Sequence, residues 1–218
     1  ERLTIELCKA SANRYYAGGV LGRTTVVSKV TRGDFRRVAR GFARANVAKI
    51  NRMIAPSPDA NTWGIEETYF AIGHTDLEAD VRSCTGFTPY SEYGEPNRKV
   101  EGEVGAVESF RVVLSNLVEP YLKGGGDSAD MLSDGASPSG AVKCDVYPIL
   151  CLGKDAYGVV RLQGVKAAQI SVLQPNVPRY GDELGQNGSV GWKFWWAGCI
   201  LFEDALAVLE VAATANPT

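Results

Sequence analysis

Gly191-Trp192-Lys193-Phe194-Trp195-Trp196-Ala197-Gly198-Cys199-Ile200-Leu201-Phe202 holds three of the chain's four tryptophans within five residues. At period two, Trp192, Phe194, Trp196, Ile200 and Phe202 fall on one face, with Gly198 leaving a gap. The other face carries Lys193, Trp195, Ala197, Cys199 and Leu201, so only Lys193 is clearly polar there. Clustered aromatics and interrupting glycine point to a strand rather than a helix, and the first face is expected to be packing core. A strand apolar on both sides needs a cover, either a helix of the same chain or another subunit.

Glycines at 181, 185, 188 and 191 punctuate the approach to this run. Beyond it Glu203-Asp204 makes a break, and Ala205 to Val211 resumes the apolar pattern as a second strand or a short helix. Working back, Val165 to Val172 reads as a strand, and Asp145 to Gly153 with Gly158 to Leu162 read as a strand pair. Residues 124–140 are small, polar, acidic and glycine-rich, which predicts a mobile surface loop. Gly102 to Asn116 reads as strand, turn, strand, and 85–99 as irregular aromatic chain. Thr68 to Ile72 is a short strand. Thr75 and Glu78 then form a capping box for a helix to about Cys84. Asp76, Glu78 and Asp80 could suggest a metal cluster, but acids in a first turn ordinarily complement the helix dipole.

Thr31 and Asp34 form another capping box, opening a helix to about Met53 with Phe35, Val38, Phe42, Ala45 and Ile50 on its apolar face. Arg36, Arg37, Arg40, Arg44, Lys49 and Arg52 make the rest basic. Such a strip is either a solvated face or a contact surface for nucleic acid or for acids of a neighbouring copy. Glu101, Glu103 and Glu108 are the acids the chain offers for an intersubunit contact with Arg36, Arg37, Arg40 and Arg44. Pro56-Ser57-Pro58 ends the helix. Residues 1–17 read as the end of a helix with two partly apolar stripes, halted by Gly18-Gly19. Gly22-Arg23-Thr24-Thr25 lacks the Gly-Lys-Ser/Thr ending of a phosphate loop.

A chain of 218 residues can bury one substantial core or two small lobes. Net charge is -2 and mean hydropathy -0.10, an ordinary soluble composition without a global nucleic-acid footprint. No apolar run reaches the ~20 residues of a membrane span. Five scattered cysteines, never in a CxxC pair, argue for buried thiols rather than a disulfide framework or zinc site. His74 is the sole histidine, and no catalytic-cysteine pattern surrounds any cysteine. No catalytic, metal or cofactor-binding residue is therefore expected. The chain opens at Glu1 inside a helical pattern, without a signal peptide, as though an N-terminal portion preceded it.

The order of these pieces carries a resemblance. Ala71-Ile72-Gly73-His74-Thr75-Asp76 with Asp80-Val81-Arg82 looks like the "HP…DLR" segment of phage major capsid proteins. Gly102-Glu103-Val104-Gly105, Val113-Leu114-Ser115 and Tyr180-Gly181-Asp182-Glu183-Leu184-Gly185-Gln186, with Gly188, Val190-Gly191-Trp192-Lys193 and Ala197, follow in the same order. Together they closely resemble the major capsid proteins of the coliphage N-four-like family, from Tyr15 to Ala213. Thr75 stands where that family usually has proline, and the 124–140 insertion is particular to this chain.

The resemblance implies an α+β chain with the Hong Kong 97-like (Johnson) fold, a peripheral domain with a spine helix plus a mixed axial domain. Residues 1–19 would end the spine helix and 20–178 would be mainly axial domain. Residues 179–218 would return to the peripheral domain, with the aromatic strand packed on the spine helix. It also implies a shell subunit forming hexamers and pentamers around double-stranded DNA. Its partners would be other copies of itself, portal, scaffolding and decoration proteins, and DNA on the inner face. The virion would be its location and the host bacterial cytoplasm its place of assembly. A bacterial nanocompartment shell protein of the same fold, and a soluble α+β enzyme with a Cys–His or carboxylate site, are the alternatives.

Overall fold

A computed structural model of the chain describes residues 1–50, 67–92, 102–134, 142–160, 168–175, 178, 181 and 183–216. The two most apolar strands set the architecture. Strand β6 (Val146–Leu152) and strand β11 (Leu206–Ala212) are buried at every position and pair antiparallel, from Leu206 opposite Leu152 to Ala212 opposite Val146. Continuous apolar runs of this kind belong to strands covered on both faces. The run after Glu203-Asp204, open between strand and helix in the sequence, is therefore a central strand.

Around this pair the described residues build a seven-stranded mixed sheet in the order β1-β11-β6-β2-β5-β4-β3. Strand β1 (Arg14–Tyr16) lies parallel to β11. Strand β2 (Tyr69–Gly73) runs antiparallel to β6 and parallel to β5 (Phe110–Leu114). Strand β4 (Glu103–Val107) makes the expected hairpin with β5, and β3 (Phe87–Pro89) closes that edge. Helix α1 (Arg2–Lys9) packs on β6 and β11, and α3 (Glu78–Arg82) follows β2.

Helix α2 (Arg32–Arg44) starts at the Thr31–Asp34 capping box. Phe35 and Phe42 pack on Phe110 at ring-centroid distances of 5.6 and 6.1 Å, and Phe42 meets Tyr69 at 5.0 Å. The helix stops nine residues short of the expected Met53. Asn46 takes a left-handed φ of 52°, its N–H binds Ala43 O, and the Val47 N–H reaches back to Phe42 O. That is a Schellman ending, with buried Val47 and Phe42 as its apolar contact. The Pro56 loop lies outside the described residues.

Other local expectations shift. Helix α1 ends at Lys9, because Arg14–Tyr16 is taken into the sheet edge. Thr75 is not the cap it resembles. The His74 side chain caps, accepting from the Asp76 N–H, while the Thr75 hydroxyl pairs with Asn116 Oδ1. Strand β7 (Tyr157–Val159) does not pair with β6 but with β10 (Gly198–Ile200). Residues 124–134 of the glycine-rich segment are not a free loop. Gly125 N–H binds Cys144 O, Gly126 N–H binds Val26 O and Leu132 N–H binds Ala213 O. Residues 135–141 lie outside the described residues.

The chain divides into Glu1–Tyr157 with Ile200–Thr218, and Gly158–Cys199. Strand β11 sits inside the sheet of the first unit. Within the second unit, β8 (Ala168–Leu173) and β9 (Ser189–Phe194) form an antiparallel hairpin.

Candidate assembly surfaces

The aromatic stretch is the largest correction. Strand β9 is exposed at every position, so Trp192 and Phe194, at 78% and 45% exposure, are not packing core of this chain. The period-two pattern also breaks after Phe194, because Trp195 to Ala197 leave the strand before β10 begins. Trp196 is half-buried and Phe202 exposed, and only Ile200 of the five packs against the main core. The register explains what the pattern meant. Ile170 faces Trp192 and Val172 faces Val190, so the hairpin has one apolar face, while Gln169, Ser171, Ser189 and Lys193 lie on the other. Lys193 Nζ lies 4.4 Å from the Trp195 ring centre. A hairpin ribbon exposing this much apolar surface has the character of an interaction face.

The second surface is the outer side of α2. Arg32 Nε and Arg36 Nε both donate to Glu108 Oε1, the latter at 2.8 Å. Glu108 occupies the tight β4–β5 turn with φ of 53°. The hydrogen bond from Arg32, reinforced by Arg36, holds its carboxyl below the ordinary value. Arg37 turns inward, donating to Asp34 and to Tyr16 O at 2.6 Å. Arg40 and Arg44 are exposed and make no ion pair among the described residues. Of the acids expected to meet this strip from outside, Glu108 is engaged within the chain. Glu103 is buried beside Arg111, 3.5 Å away, and so presents no surface charge. Glu101 lies outside the described residues.

A buried ionic node on β11 escaped the sequence reading. Glu210 is fully buried, with Arg23 bonding both its oxygens at 2.7 Å and Arg14 bonding Oε1. The Arg23 guanidinium lies 3.6 Å from the Tyr121 ring centre, and Arg14 also donates to Lys9 O at 2.6 Å. Its sequence signal was one acid in the middle of the apolar run Ala205 to Val211.

The residues that could have formed a catalytic or metal centre have other partners. Asp76 accepts from Tyr147 OH at 2.9 Å, Asp80 from Thr214 N and Oγ1 at 2.8 and 2.7 Å, and Glu78 from Arg82 at 2.9 Å. Among the described residues no group of three or more His, Cys, Asp and Glu is placed to hold a metal. Cys84 and Cys144 donate to backbone carbonyls. Burial pushes the Cys8 and Cys84 thiols up to about 11, the wrong direction for a thiolate nucleophile. A groove of about 380 Å³ over β2 and β5, lined by Phe70, Ile72, Val113, Leu152 and Tyr157, is apolar with Asp155 as its charged group.

No protein-family model matches the chain, and no curated protein matches it. Solved structures do. A chain in the head structure of Helicobacter pylori bacteriophage KHP40 matches with a TM-score of 0.56 and 12% identity, over 97% of this chain and 63% of that one. A chain of the capsid of Ralstonia phage GP4 matches at 0.52 and 12% identity, over 95% and 55% respectively. A chain from Mycobacterium phage Che8 matches at 0.52 and 11%, over 95% and 56%. The mixed sheet with few helices is thus a fold shared with chains of phage heads and capsids. The chain spans between 55% and 63% of the length of these three structures.

Proposed function

We propose that this chain is the shell-forming subunit, the major capsid protein, of a tailed bacteriophage. The observation that carries the reading is the match of the sheet and its helices, over 97% of the chain, to a chain of a phage head. The motifs from Ala71 to Arg82 and from Tyr180 to Ala197 support the finer assignment to a Hong Kong 97-like fold and to the N-four-like family. In this reading, copies close into hexamers and pentamers through head-to-tail contacts, and these tile a shell around double-stranded DNA. Each contact can be weak, because a subunit with several neighbours gains avidity. The exposed apolar face of β8–β9 and the unpaired arginines of α2 are the kind of surface that such contacts require. Portal, scaffolding and decoration proteins would be its other partners. The virion would be its location, with assembly in the host cytoplasm.

Negative-stain electron microscopy and sedimentation velocity on the purified chain test this. Rings or closed particles are expected as concentration rises. A species that stays monomeric at every concentration and salt condition tried would remove the reading.

A further inference from the structure

The apolar face of the β8–β9 ribbon stands open to solvent. Trp192 keeps 78% of its surface, Ile170 and Val190 75% each, Val172 59% and Phe194 45%. The register sets Ile170 opposite Trp192 and Val172 opposite Val190, so these side chains form one patch across both strands. Alternation puts the one nearby charge, Lys193, on the other side, where its Nζ lies 4.4 Å from the Trp195 ring centre. Among the described residues this sheet holds two strands only. Such a ribbon is marginally stable in water unless its apolar face is packed against something.

Area and shape decide what packs there. With roughly 150–250 Å² for an aromatic side chain and somewhat less for Val or Ile, the five exposed fractions leave about 600 Å² open. Two such faces brought together remove about 1,200 Å² from water, above the ~1,000 Å² that marks a specific interface. Nucleic acid needs cations that this face lacks, and a small ligand needs a concavity that a ribbon face does not offer. The face does complement itself. We infer that it is covered by the same face of a second copy, about a two-fold axis running along the strands. That axis sets β8 of one copy over β9 of the other, so each Trp192 packs on the other copy's Ile170 and each Val190 on the other copy's Val172. A large ring thus meets a smaller branched chain twice, and the two ribbons stack ~10 Å apart as facing sheets do. The place of this contact in the assembly rests on the shell reading. An isologous contact joins two copies and stops, so it links subunits of adjacent rings and does not close a ring.

Reciprocal variants of the full chain test this by sedimentation velocity. Trp192→Lys and Ile170→Glu should each weaken pairing at least about tenfold, as loss of a central aromatic anchor or its seat does. Their circular dichroism should stay that of the wild type. Mixed in equal amounts, the two should pair again, because the mixed dimer holds one Lys–Glu contact and one native Trp192–Ile170 contact. Ser171→Lys, on the opposite face, should leave pairing unchanged. If either face variant pairs as well as the wild type, or Ser171→Lys loses as much as they do, the contact is wrong. Rings or particles that still form would then leave the shell reading standing. Loss without rescue in the mixture overturns the self-pairing and assigns the face to another surface or partner. A wild type that pairs through this face but forms no ring or particle under electron microscopy removes the shell reading and keeps the contact. A wild type that stays monomeric throughout removes both.

Discussion

The guanidinium of Arg23 grips both carboxylate oxygens of Glu210, each at 2.7 Å, with Arg14 bonded to the same fully buried acid. A buried carboxylate is tolerable only when its lone pairs are filled by charge-bearing donors. Here the donors come from β1 and from the 3-10 turn at Arg23–Thr25, so the ion cluster ties two N-terminal segments to the last strand.

Removing the acid should therefore be expensive. Glu210→Ala should destabilise by about 3 kcal/mol, the lower end of the range for breaking a buried pair, because both arginines reach solvent. Urea denaturation monitored by circular dichroism measures it. A loss below about 1 kcal/mol would show that the arginines simply rehydrate.

The aromatic residues should divide by burial and not by size. Phe110→Ala or Phe42→Ala should cost about 3–5 kcal/mol, since both rings are fully buried in the cluster between α2 and the sheet. Trp192→Ala should change the stability of the unassembled chain by less than about 0.5 kcal/mol. Denaturation midpoints of the unassembled proteins decide the matter, and equal losses would return the tryptophan strand to the core.

Gly125 should not tolerate a side chain. A Cβ there would stand 2.4 Å from Cys144 Sγ and 2.7 Å from Val26 O. Gly125→Ala should thus cost about 1–3 kcal/mol through overpacking, whereas Gly22→Ala, with open space around it, should be close to neutral. A melting temperature unchanged in Gly125→Ala would mean that the 124–134 segment is not fastened to the body.

Acid should weaken the fold through two identifiable carboxyls. Glu108 is held below 4.5 first by the Arg32 hydrogen bond. Glu203 is held below 4.5 first by Ser11, which donates at 2.6 Å. Each folded-state pKa lies below its unfolded value, so the stabilisation is fully present above about pH 4.5 and fades as pH falls through the folded values. Melting curves from about pH 7 down to pH 3 should lose less in Glu108→Gln and Glu203→Gln than in the wild type. Parallel curves for all three proteins would rule these acids out.

Local chemistry was legible in the chain. The Thr31–Asp34 box, the strand at 69–73 and the 103–114 hairpin depend on neighbouring residues, and the pattern alone located them. The mixed α+β character and the basic residues along α2 followed too. What the pattern could not say is what covers a face. The runs at 192–202 and 205–211 are both apolar, yet only the second is core, because β6, β1 and the two helices happen to reach it from far along the chain. The same non-local placement buried Glu210 against two arginines and brought Glu108 to Arg32 and Arg36. Periodicity records which side chains prefer to leave water. Tertiary packing decides which of them do so within one chain and which are left for a neighbour.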